Sequence, residues 1–266
     1  MKKRTPRRRP AAVPAKSAAS RRPARTAPTA KARAKPTRDA GVSAPPRSAR
    51  RAALKGNALR AHAREIERRL LALYPDAHCE LDFRSPFELL CATILSAQCT
   101  DKRVNMVTPE LFRRWPTAAA LGAAAPAEVE AVIKSTGFFR AKAKSLIGMA
   151  QGVVSSHAGE VPADMVALTA LPGVGRKTAN VLLGNAFARN DGIVVDTHVA
   201  RLAARFGLTA ETDPLRIEQA LMPLFDREGW ARLSHLLIWH GRRVCDSRKP
   251  RCGECSLANI CPSATA

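Results

Sequence analysis

Apolar side chains recur every three or four residues along most of the chain after residue 57, which is the period of a helix with one buried face. The first such segment ends at Pro75, because proline cannot continue a helix. Its apolar side chains fall near one face: Leu59, Ile66, Leu70 and Leu73. An amphipathic helix that packs this face against a core is therefore predicted before Pro75.

Further helical segments follow, and one of them, 86–115, is more apolar and has a break near residues 96–101. The others are 126–138, 140–157, 163–171, 177–188, 197–208, 214–225 and 230–245. No stretch alternates apolar and polar residues between hairpin turns, so little or no strand is expected. The pattern predicts an all-α fold.

Charge divides the chain into two unequal parts. Residues 1–55 hold 18 Lys and Arg against one acid, Asp39, a net of +17 out of the formal +22 of the chain. They also hold eight Pro and no aromatic residue, so they cannot bury enough apolar surface to offset the entropy of ordering. We expect a disordered basic arm over 1–56 that docks on phosphates by counterion release. A solubilising or mistranslated start is one alternative, and a mitochondrial transit peptide is another that the frequent Pro disfavours.

Neither a membrane span nor secretion is expected. No apolar run reaches about 18 residues, and no hydrophobic signal core follows the basic start. The sequence therefore predicts an intracellular protein.

Four of the seven cysteines crowd together near the end of the chain, with the spacing C-x6-C-x2-C-x5-C: Cys245, Cys252, Cys255 and Cys261. In a reducing compartment such crowding indicates metal ligation rather than disulfides. Four thiolates this close can hold one tetrahedral zinc ion or one cubane iron–sulfur cluster. Zinc ribbons usually present two short C-x2-C pairs and this chain has one, yet spacing alone leaves the metal open.

A glycine-rich turn, LPGVG at 171–175, joins two helical segments. Gly173 and Gly175 permit a tight hairpin around Val174 and let a DNA backbone approach the peptide nitrogens without a Cβ in the way. The amides that open the next helix, which starts with Arg176, can then bind a phosphate, a contact that positions DNA without reading its bases. An ordinary corner between two helices is the alternative.

Lys177 follows this turn, and Asp196 comes nineteen positions later in VVDTH. A lysine becomes a nucleophile at neutral pH only if desolvation or nearby positive charge lowers its pKa, and both Arg176 and the helix N-terminus favour the neutral amine. The apolar residues before Asp196 should half-bury its carboxylate, where it can stabilise positive charge or relay protons. The alternatives are a phosphate-binding lysine and an aspartate that only caps the next helix.

The motifs LPGVGRKTAN and VDTHVARLA, together with LSAQCTD at 95–101 and the terminal cysteines, resemble the endonuclease III family of base-excision DNA glycosylases with a helix-hairpin-helix motif. The resemblance runs from about residue 57 to 262. It implies two helical lobes: a six-helix barrel with the hairpin over 79–190, and an iron–sulfur lobe made of 57–78 and 191–266. Double-stranded DNA with damaged or abasic nucleotides is the implied partner of a monomeric enzyme.

The resemblance also implies the chemistry. Lys177 would attack C1′ of the damaged nucleotide, displace the base and form a Schiff base, after which β-elimination cuts the strand 3′ to the lesion. Asp196 would assist. The four cysteines would hold a [4Fe-4S] cluster, and the loop between the first two would hold three basic side chains against phosphates: Arg248, Lys249 and Arg251.

A glycosylase must extrude its target nucleotide, and side chains must fill the hole left in the duplex. By resemblance Gln98 plugs the gap and faces the orphan base, and Phe138 is a wedge, with Phe139 as its substitute. The alternatives are an amide that caps its own helix for Gln98 and core packing for Phe138. His198 beside Asp196 would line the pocket or belong only to the helix start.

Two rival functions are weighed against this hypothesis. The adenine glycosylase branch of the same superfamily has no lysine nucleophile and carries a catalytic Glu before its Gln turn, where this chain has Ala92. A non-catalytic helix-hairpin-helix DNA-binding protein has no need for Lys177 and Asp196 together. We therefore predict a bifunctional glycosylase and lyase for oxidised pyrimidines. It would act in the bacterial cytoplasm at the nucleoid, or in mitochondria or the nucleus if the source is eukaryotic.

Overall fold

A computed structural model describes residues 54–265, and this part of the chain is helical without any strand. Its helices are α1 (Gly56–Leu73), α2 (Pro86–Leu95), α3 (Asp101–Arg114), α4 (Ala118–Gly122), α5 (Pro126–Ile133), α6 (Phe139–His157), α7 (Met165–Thr169), α8 (Arg176–Ala186), α9 (Thr197–Arg205), α10 (Pro214–Leu221) and α11 (Trp230–Arg243). Short 3-10 turns cover Lys134–Thr136, Met222–Leu224, Arg227–Gly229 and Cys252–Glu254. The all-α prediction is confirmed.

The predicted basic arm falls almost entirely outside the described residues. Of the expected range 1–56, only Leu54, Lys55 and Gly56 are described, and Gly56 already belongs to α1. No helix within residues 54–265 combines the length and the apolar character that a membrane span requires.

Two hydrophobic clusters fill the interior. The first gathers the apolar faces of α2 to α8 between Leu81 and Leu183. The second gathers α1, α9, α10 and α11, together with Ile193 and Val195 from the segment before α9. The stretch predicted as a six-helix barrel contains α2 to α8, of which α4 and α7 have only five residues each. Both hydrophobic clusters lie in one compact unit, and the division into two domains stays a prediction.

The buried face of α1 differs from the predicted one at its end. Ala63, Ile66 and Leu70 are fully buried in the second cluster, but Leu73 is 42% exposed. The stripe advances by three, four and four residues from Ala63 and therefore reaches Tyr74, which takes the buried place instead. The prediction that Leu73 belongs to this face is wrong.

The predicted break between the two halves of segment 86–115 is real. Helix α2 ends at Leu95, and α3 begins after Thr100, whose hydroxyl caps it by accepting from the Arg103 N–H at 3.3 Å. Between them Gln98 adopts a left-handed conformation with φ 52°. The loop therefore presents Gln98 as an exposed residue between two helices.

Candidate active site

The glycine hairpin between α7 and α8 is held on both of its sides. Gly173 has φ +77°, and a Cβ there would lie 2.6 Å from the Ser145 Cβ on α6, so glycine is required by conformation and by space. Leu171 and Val174 bury their side chains in the first cluster, and the Val174 N–H donates to the Leu171 carbonyl at 3.1 Å. Val174 thus anchors the turn, and a contact between Val174 and DNA stays a prediction.

Helix α8 starts without a side-chain cap. Its N-cap residue is Gly175, whereas α7, α9 and α10 each begin after an aspartate whose carboxylate accepts from their first N–H groups. A Cβ at Gly175 would meet nothing within 4 Å. The first N–H groups of α8 therefore have no side-chain cap and no Cβ beside them at Gly175, an arrangement in which a helix N-terminus can bind an anion.

Lys177 and Asp196 line the same cavity, which has a volume of about 90 Å³. Lys177 stands in the first turn of α8, a helix of the first cluster, and is exposed. Asp196 is half-buried and follows Ile193 and Val195, which belong to the second cluster. The structure therefore brings an amine and a carboxylate from two different cores to one cavity, and the two groups form no ion pair within the described part of the chain.

The Asp196 carboxylate is fixed by the helix that it starts. Its Oδ1 accepts from the backbone N–H groups of His198 and Val199, both at 2.8 Å. Both interpretations of Asp196 from the sequence therefore hold geometrically, because one residue caps α9 and lines the cavity. Capping also fixes the direction in which the carboxylate points.

His235 also lines this cavity, and the sequence analysis did not identify it. The Asn185 amide donates to the Val181 carbonyl at 2.7 Å, so its Oδ1 is the atom that faces His235 Nε2 at 2.8 Å. Since Oδ1 can only accept, Nε2 carries the hydrogen and Nδ1 is left as an acceptor. Burial lowers the pKa of His235 to about 4, so the ring is neutral. No periodicity marks His235, whose position follows from the packing of α11 on α8.

An ion-pair cluster closes one side of the cavity. The Arg242 Nη1 lies 2.8 Å from Asp101 Oδ2 and also pairs with Glu80, to which Arg243 pairs at 3.5 Å. Asp101 opens α3 and Arg242 lies in the last turn of α11, so these ion pairs join helices of the two hydrophobic clusters. Arg242 and Asp101 also line an adjacent open groove.

His198 lies in that groove rather than in the cavity of Lys177. Its Nδ1 accepts from Arg201 Nη2 at 3.0 Å, and the backbone of Gly241 packs against its ring. Burial lowers the pKa of His198. His198 therefore lies beside the candidate site, and a contact between His198 and DNA stays a prediction.

Arg176 is engaged by a buried acid. Its Nε and Nη2 donate to the two oxygens of Glu218 at 2.7 and 3.0 Å, and Asn180 donates to the same carboxylate at 2.9 Å. The Glu218 side chain is only 5% exposed. The positive charge of Arg176 is therefore compensated, which weakens its expected influence on the neighbouring Lys177, and a contact between Arg176 and DNA stays a prediction.

Gln98 and Phe138 are both exposed and both left-handed. Phe138 has φ 47° directly after Gly137, which has φ 72°, and its side chain is 66% exposed. Phe139 instead packs against the first cluster. Core packing is therefore excluded for Phe138, and contacts of Phe138 and Gln98 with DNA stay predictions.

The four terminal cysteines line one small, mostly apolar cavity together with Arg205 and His240: Cys245, Cys252, Cys255 and Cys261. Among residues 54–265 no three His, Cys, Asp or Glu side chains converge closely enough to hold one metal ion. Four thiols around one shared space are a donor set that fits an iron–sulfur cluster.

Arg205 organises the loop that follows the first of these cysteines. Its guanidinium donates to Cys245 Sγ at 3.1 Å and to the carbonyls of Asp246 and Ser247 at 2.6 and 2.8 Å. Asp246 Oδ1 in turn accepts from the Arg248 N–H at 2.9 Å, which leaves the side chain of Arg248 exposed. The loop is held to the fold at its base.

The other basic side chains of this loop differ in their contacts. Lys249 is exposed. Arg251 donates to the Arg243 carbonyl and pairs with Glu254 at 3.4 Å, so its head group is already engaged. Contacts between these three basic residues and phosphates stay predictions, with Arg248 and Lys249 better placed for them than Arg251.

Comparisons with known proteins agree with this geometry. Residues 91–227 match the model of the HhH-GPD superfamily of base excision DNA repair proteins, and residues 245–261 match the iron–sulfur binding domain of endonuclease III. The first match covers the Gln98 loop, the hairpin and Asp196, and the second begins and ends at the outer two of the four cysteines.

Individual relatives extend the similarity over nearly their whole length. Endonuclease III of Synechocystis sp. is 55% identical over 204 residues, which cover 77% of this chain and 93% of the relative. Endonuclease III of Bacillus subtilis is 43% identical over 190 residues, 71% of this chain and 86% of the relative. A solved structure of a trapped endonuclease III–DNA covalent intermediate superposes with a TM-score of 0.74 at 40% identity, covering 77% of this chain and 96% of that one.

Proposed function

Because the chain belongs to the endonuclease III family of base excision repair enzymes, which are DNA glycosylases with abasic-site lyase activity, we propose that Lys177 and Asp196 are its reacting pair. The observation that carries the proposal is their convergence on one cavity from two separate hydrophobic clusters. A covalent intermediate with DNA has been trapped for a relative that is 40% identical.

The chemistry follows from an amine beside a flipped-out deoxyribose. The Lys177 Nζ gives up a proton and forms a bond to C1′ while the bond from C1′ to the base breaks, and the base leaves with the bonding electrons and takes up a proton. Ring opening gives a Schiff base between Nζ and C1′. Loss of a C2′ proton then expels the 3′ phosphate by β-elimination, which leaves a single-strand break.

Asp196 supports these steps through its position. A half-buried carboxylate that is held by two N–H groups stabilises positive charge that develops on the sugar and can accept a proton during ring opening. His235 contributes a neutral ring to the same cavity, with Nδ1 available to accept a hydrogen bond from the extruded nucleotide.

DNA is bound by contacts that do not depend on sequence. The hairpin amides at Gly173 and Gly175 and the uncapped start of α8 would bind one phosphate, and Arg248 and Lys249 would bind another. Gln98 and Phe138 would enter the duplex where the target nucleotide leaves it.

The [4Fe-4S] cluster is the cofactor of the family, and Cys245, Cys252, Cys255 and Cys261 are the residues that would hold it. When bound it supplies a rigid cross-link between the end of α11 and the terminal loop, as structural metal centres do. The Arg205 contacts then transmit this rigidity to the segment that carries Arg248.

We propose that the enzyme acts as a monomer on duplex DNA with oxidised pyrimidines or abasic sites, and that in a bacterial cell it does so at the nucleoid in the cytoplasm.

A panel of duplexes tests the proposal. Single-turnover cleavage is measured on thymine glycol, dihydrouracil and abasic duplexes and on adenine opposite 8-oxoguanine. We expect cleavage of the first three and none of the last. Removal of adenine without strand cleavage would favour the adenine glycosylase alternative, and binding without any cleavage would favour a non-catalytic protein.

The loop contacts are tested separately. The double variant Arg248→Ala, Lys249→Ala should weaken duplex binding and lower its salt dependence by about two phosphate contacts, because each neutralised phosphate contributes a slope of about one. Arg251→Ala is the matched comparison and should change the slope less, since Glu254 and the Arg243 carbonyl engage its head group.

A further inference from the structure

Lys142 is a buried lysine that the proposed chemistry does not use. It lies on α6 with 5% of its surface exposed, and it forms no ion pair within residues 54–265. Its Nζ instead donates to two backbone carbonyls, those of Leu95 and Thr136, both at 2.8 Å. A buried ammonium must be compensated, and within residues 54–265 these two carbonyl dipoles are its hydrogen-bond partners.

The two carbonyls end two different elements. Leu95 is the last residue of α2, and Thr136 is the last residue of the 3-10 turn after α5. Carbonyls at the end of a helix lack intrahelical partners and carry the negative end of its dipole, so a cation stabilises both ends at once. Lys142 thereby ties the end of α2 to the end of this turn.

Each of these ends leads directly into one of the two exposed left-handed residues. Gln98 with φ 52° comes three residues after Leu95, and Phe138 with φ 47° comes two residues after Thr136. Such a conformation costs a non-glycine residue about 1 kcal/mol or more and persists only where its surroundings enforce it. The Lys142 ammonium is hydrogen-bonded to both of the elements that lead into these two residues.

We propose that Lys142 is a positioning residue that fixes the spacing between the Gln98 loop and the Phe138 turn, so that both side chains enter the duplex together. This inference rests on the proposed function, because it takes Gln98 and Phe138 as the groups that fill the gap in the DNA. Lys142 touches neither substrate nor reacting atoms. It acts through the two backbone segments that it holds.

The test separates insertion from binding and from folding. Lys142→Met keeps most of the side-chain volume and removes the donor. Lys144→Met on the same helix is the matched control, since Lys144 is exposed. The probe is a duplex with a tetrahydrofuran abasic analogue opposite 2-aminopurine, whose fluorescence rises when the orphan base is unstacked. Cleavage is followed on the corresponding abasic duplex under single-turnover conditions.

We expect Lys142→Met to bind the duplex within a few-fold of the unmodified protein, to lose most of the fluorescence rise, and to cleave about ten-fold more slowly or worse, since small misplacements cost this much. Gln98→Ala should show the same phenotype, and the double variant should be no slower than either single one. Lys144→Met should behave as the unmodified protein.

Other outcomes overturn the inference. A normal fluorescence rise in Lys142→Met would do so, as would additive losses in the double variant. A melting temperature and duplex affinity that fall in proportion to the rate would indicate a purely structural lysine. If the unmodified protein cleaves no substrate, the proposed function fails first, which is a different result.

A variant that does not fold still leaves a decisive measurement. Lys142→Gln then replaces Lys142→Met in the same comparison. If neither folds, a cycle between Gln98→Ala and Phe138→Ala takes their place, because both side chains are exposed. Two loops held at a fixed spacing give non-additive losses of fluorescence, and additive losses would contradict the inference.

Discussion

Arg176 donates two hydrogen bonds to Glu218, and this pair joins α8, which carries Lys177, to α10, a helix of the second hydrophobic cluster. Glu218 lies on α10, and a Cβ at Gly192 would fall 1.8 Å from its Oε1. The segment that begins at Gly192 leads through Val195 to Asp196. The buried carboxylate of Glu218 therefore contacts both the first residue of α8 and the backbone segment that leads to Asp196.

Glu218→Ala should cost about 2 kcal/mol of unfolding free energy, because it leaves the Asn180 amide buried without its acceptor and Arg176 without its counter-charge. Thermal melting and single-turnover cleavage should fall together. Glu110→Ala is the control: Glu110 pairs with Arg113 and Arg114 at similar distances but on the surface, so its loss should change little. Equal melting temperatures for the two variants would contradict the role of Glu218.

Asp196→Asn should keep the capping of α9 and lose most of the cleavage rate. Asparagine keeps an Oδ1 that can accept from the His198 and Val199 N–H groups and is as good a cap as aspartate, so stability should change by a few tenths of a kcal/mol. The charge is lost, so the single-turnover rate should fall about 100-fold or more. Asp196→Ala should lose the cap as well, at about 1 kcal/mol. An unchanged rate in Asp196→Asn would show that the residue is only a cap.

Gly173→Ala should lose stability, whereas Gly175→Ala should lose affinity for DNA. At Gly173 the positive φ and the Ser145 side chain oppose a Cβ, so melting should drop markedly. At Gly175 a Cβ meets nothing within 4 Å and φ is −95°, so stability should be kept. The Gly175→Ala methyl group would instead meet the DNA backbone and weaken duplex binding. Normal binding by Gly175→Ala would contradict the placement of a phosphate at this turn.

Stability should fall on mild acidification because of buried histidine. The pKa of His235 in the folded protein is about 4, below its ordinary 6.5, so the unfolded chain takes up a proton first as the pH falls. The loss begins near the ordinary pKa and is complete near the folded one, and it amounts to about 2 kcal/mol at about pH 5. The unfolding free energy, measured between the ordinary and the folded pKa, should fall less in His235→Gln than in the unmodified protein. Part of the fall should remain, since burial also lowers the pKa of His240 to about 4.

His157→Gln is the comparison for this experiment, because His157 ends α6 and does not line the cavity. In His157→Gln the unfolding free energy should depend on pH as it does in the unmodified protein. If the pH dependence of the unfolding free energy were also unchanged in His235→Gln, His235 would not be the buried neutral ring that the structure shows.

Much of this molecule is encoded locally and could be predicted. The helical period, the proline stop at Pro75 and the break before Thr100 are local signals, and each was found where expected. Lys177 and Asp196 were found through motif resemblance, and a distance of nineteen residues says nothing by itself about their convergence. The short helix α4 was missed because the stretch around it, PTAAALGAAA at 116–125, has almost no polar positions and therefore shows no helical period.

Residues defined by tertiary packing could not be predicted. A lysine such as Lys142 on an amphipathic helix is ordinarily solvated, and only the arrival of two carbonyls from elsewhere makes its burial tolerable. Glu218 and His235 are of the same kind, since their partners are 42 and 50 residues away. The conformation of Phe138 is also unpredictable, because aromatic residues rarely adopt positive φ and only Gly137 hints at a turn.

The most direct test of the account is borohydride trapping of the protein on an abasic duplex. Lys177→Ala should fold and bind, since Lys177 is exposed, but should give no covalent adduct and cleave slower by about three orders of magnitude or more. Lys102→Ala, which removes an exposed lysine from the adjacent groove, should trap normally. An adduct that persists in Lys177→Ala would contradict the central claim that this amine is the nucleophile.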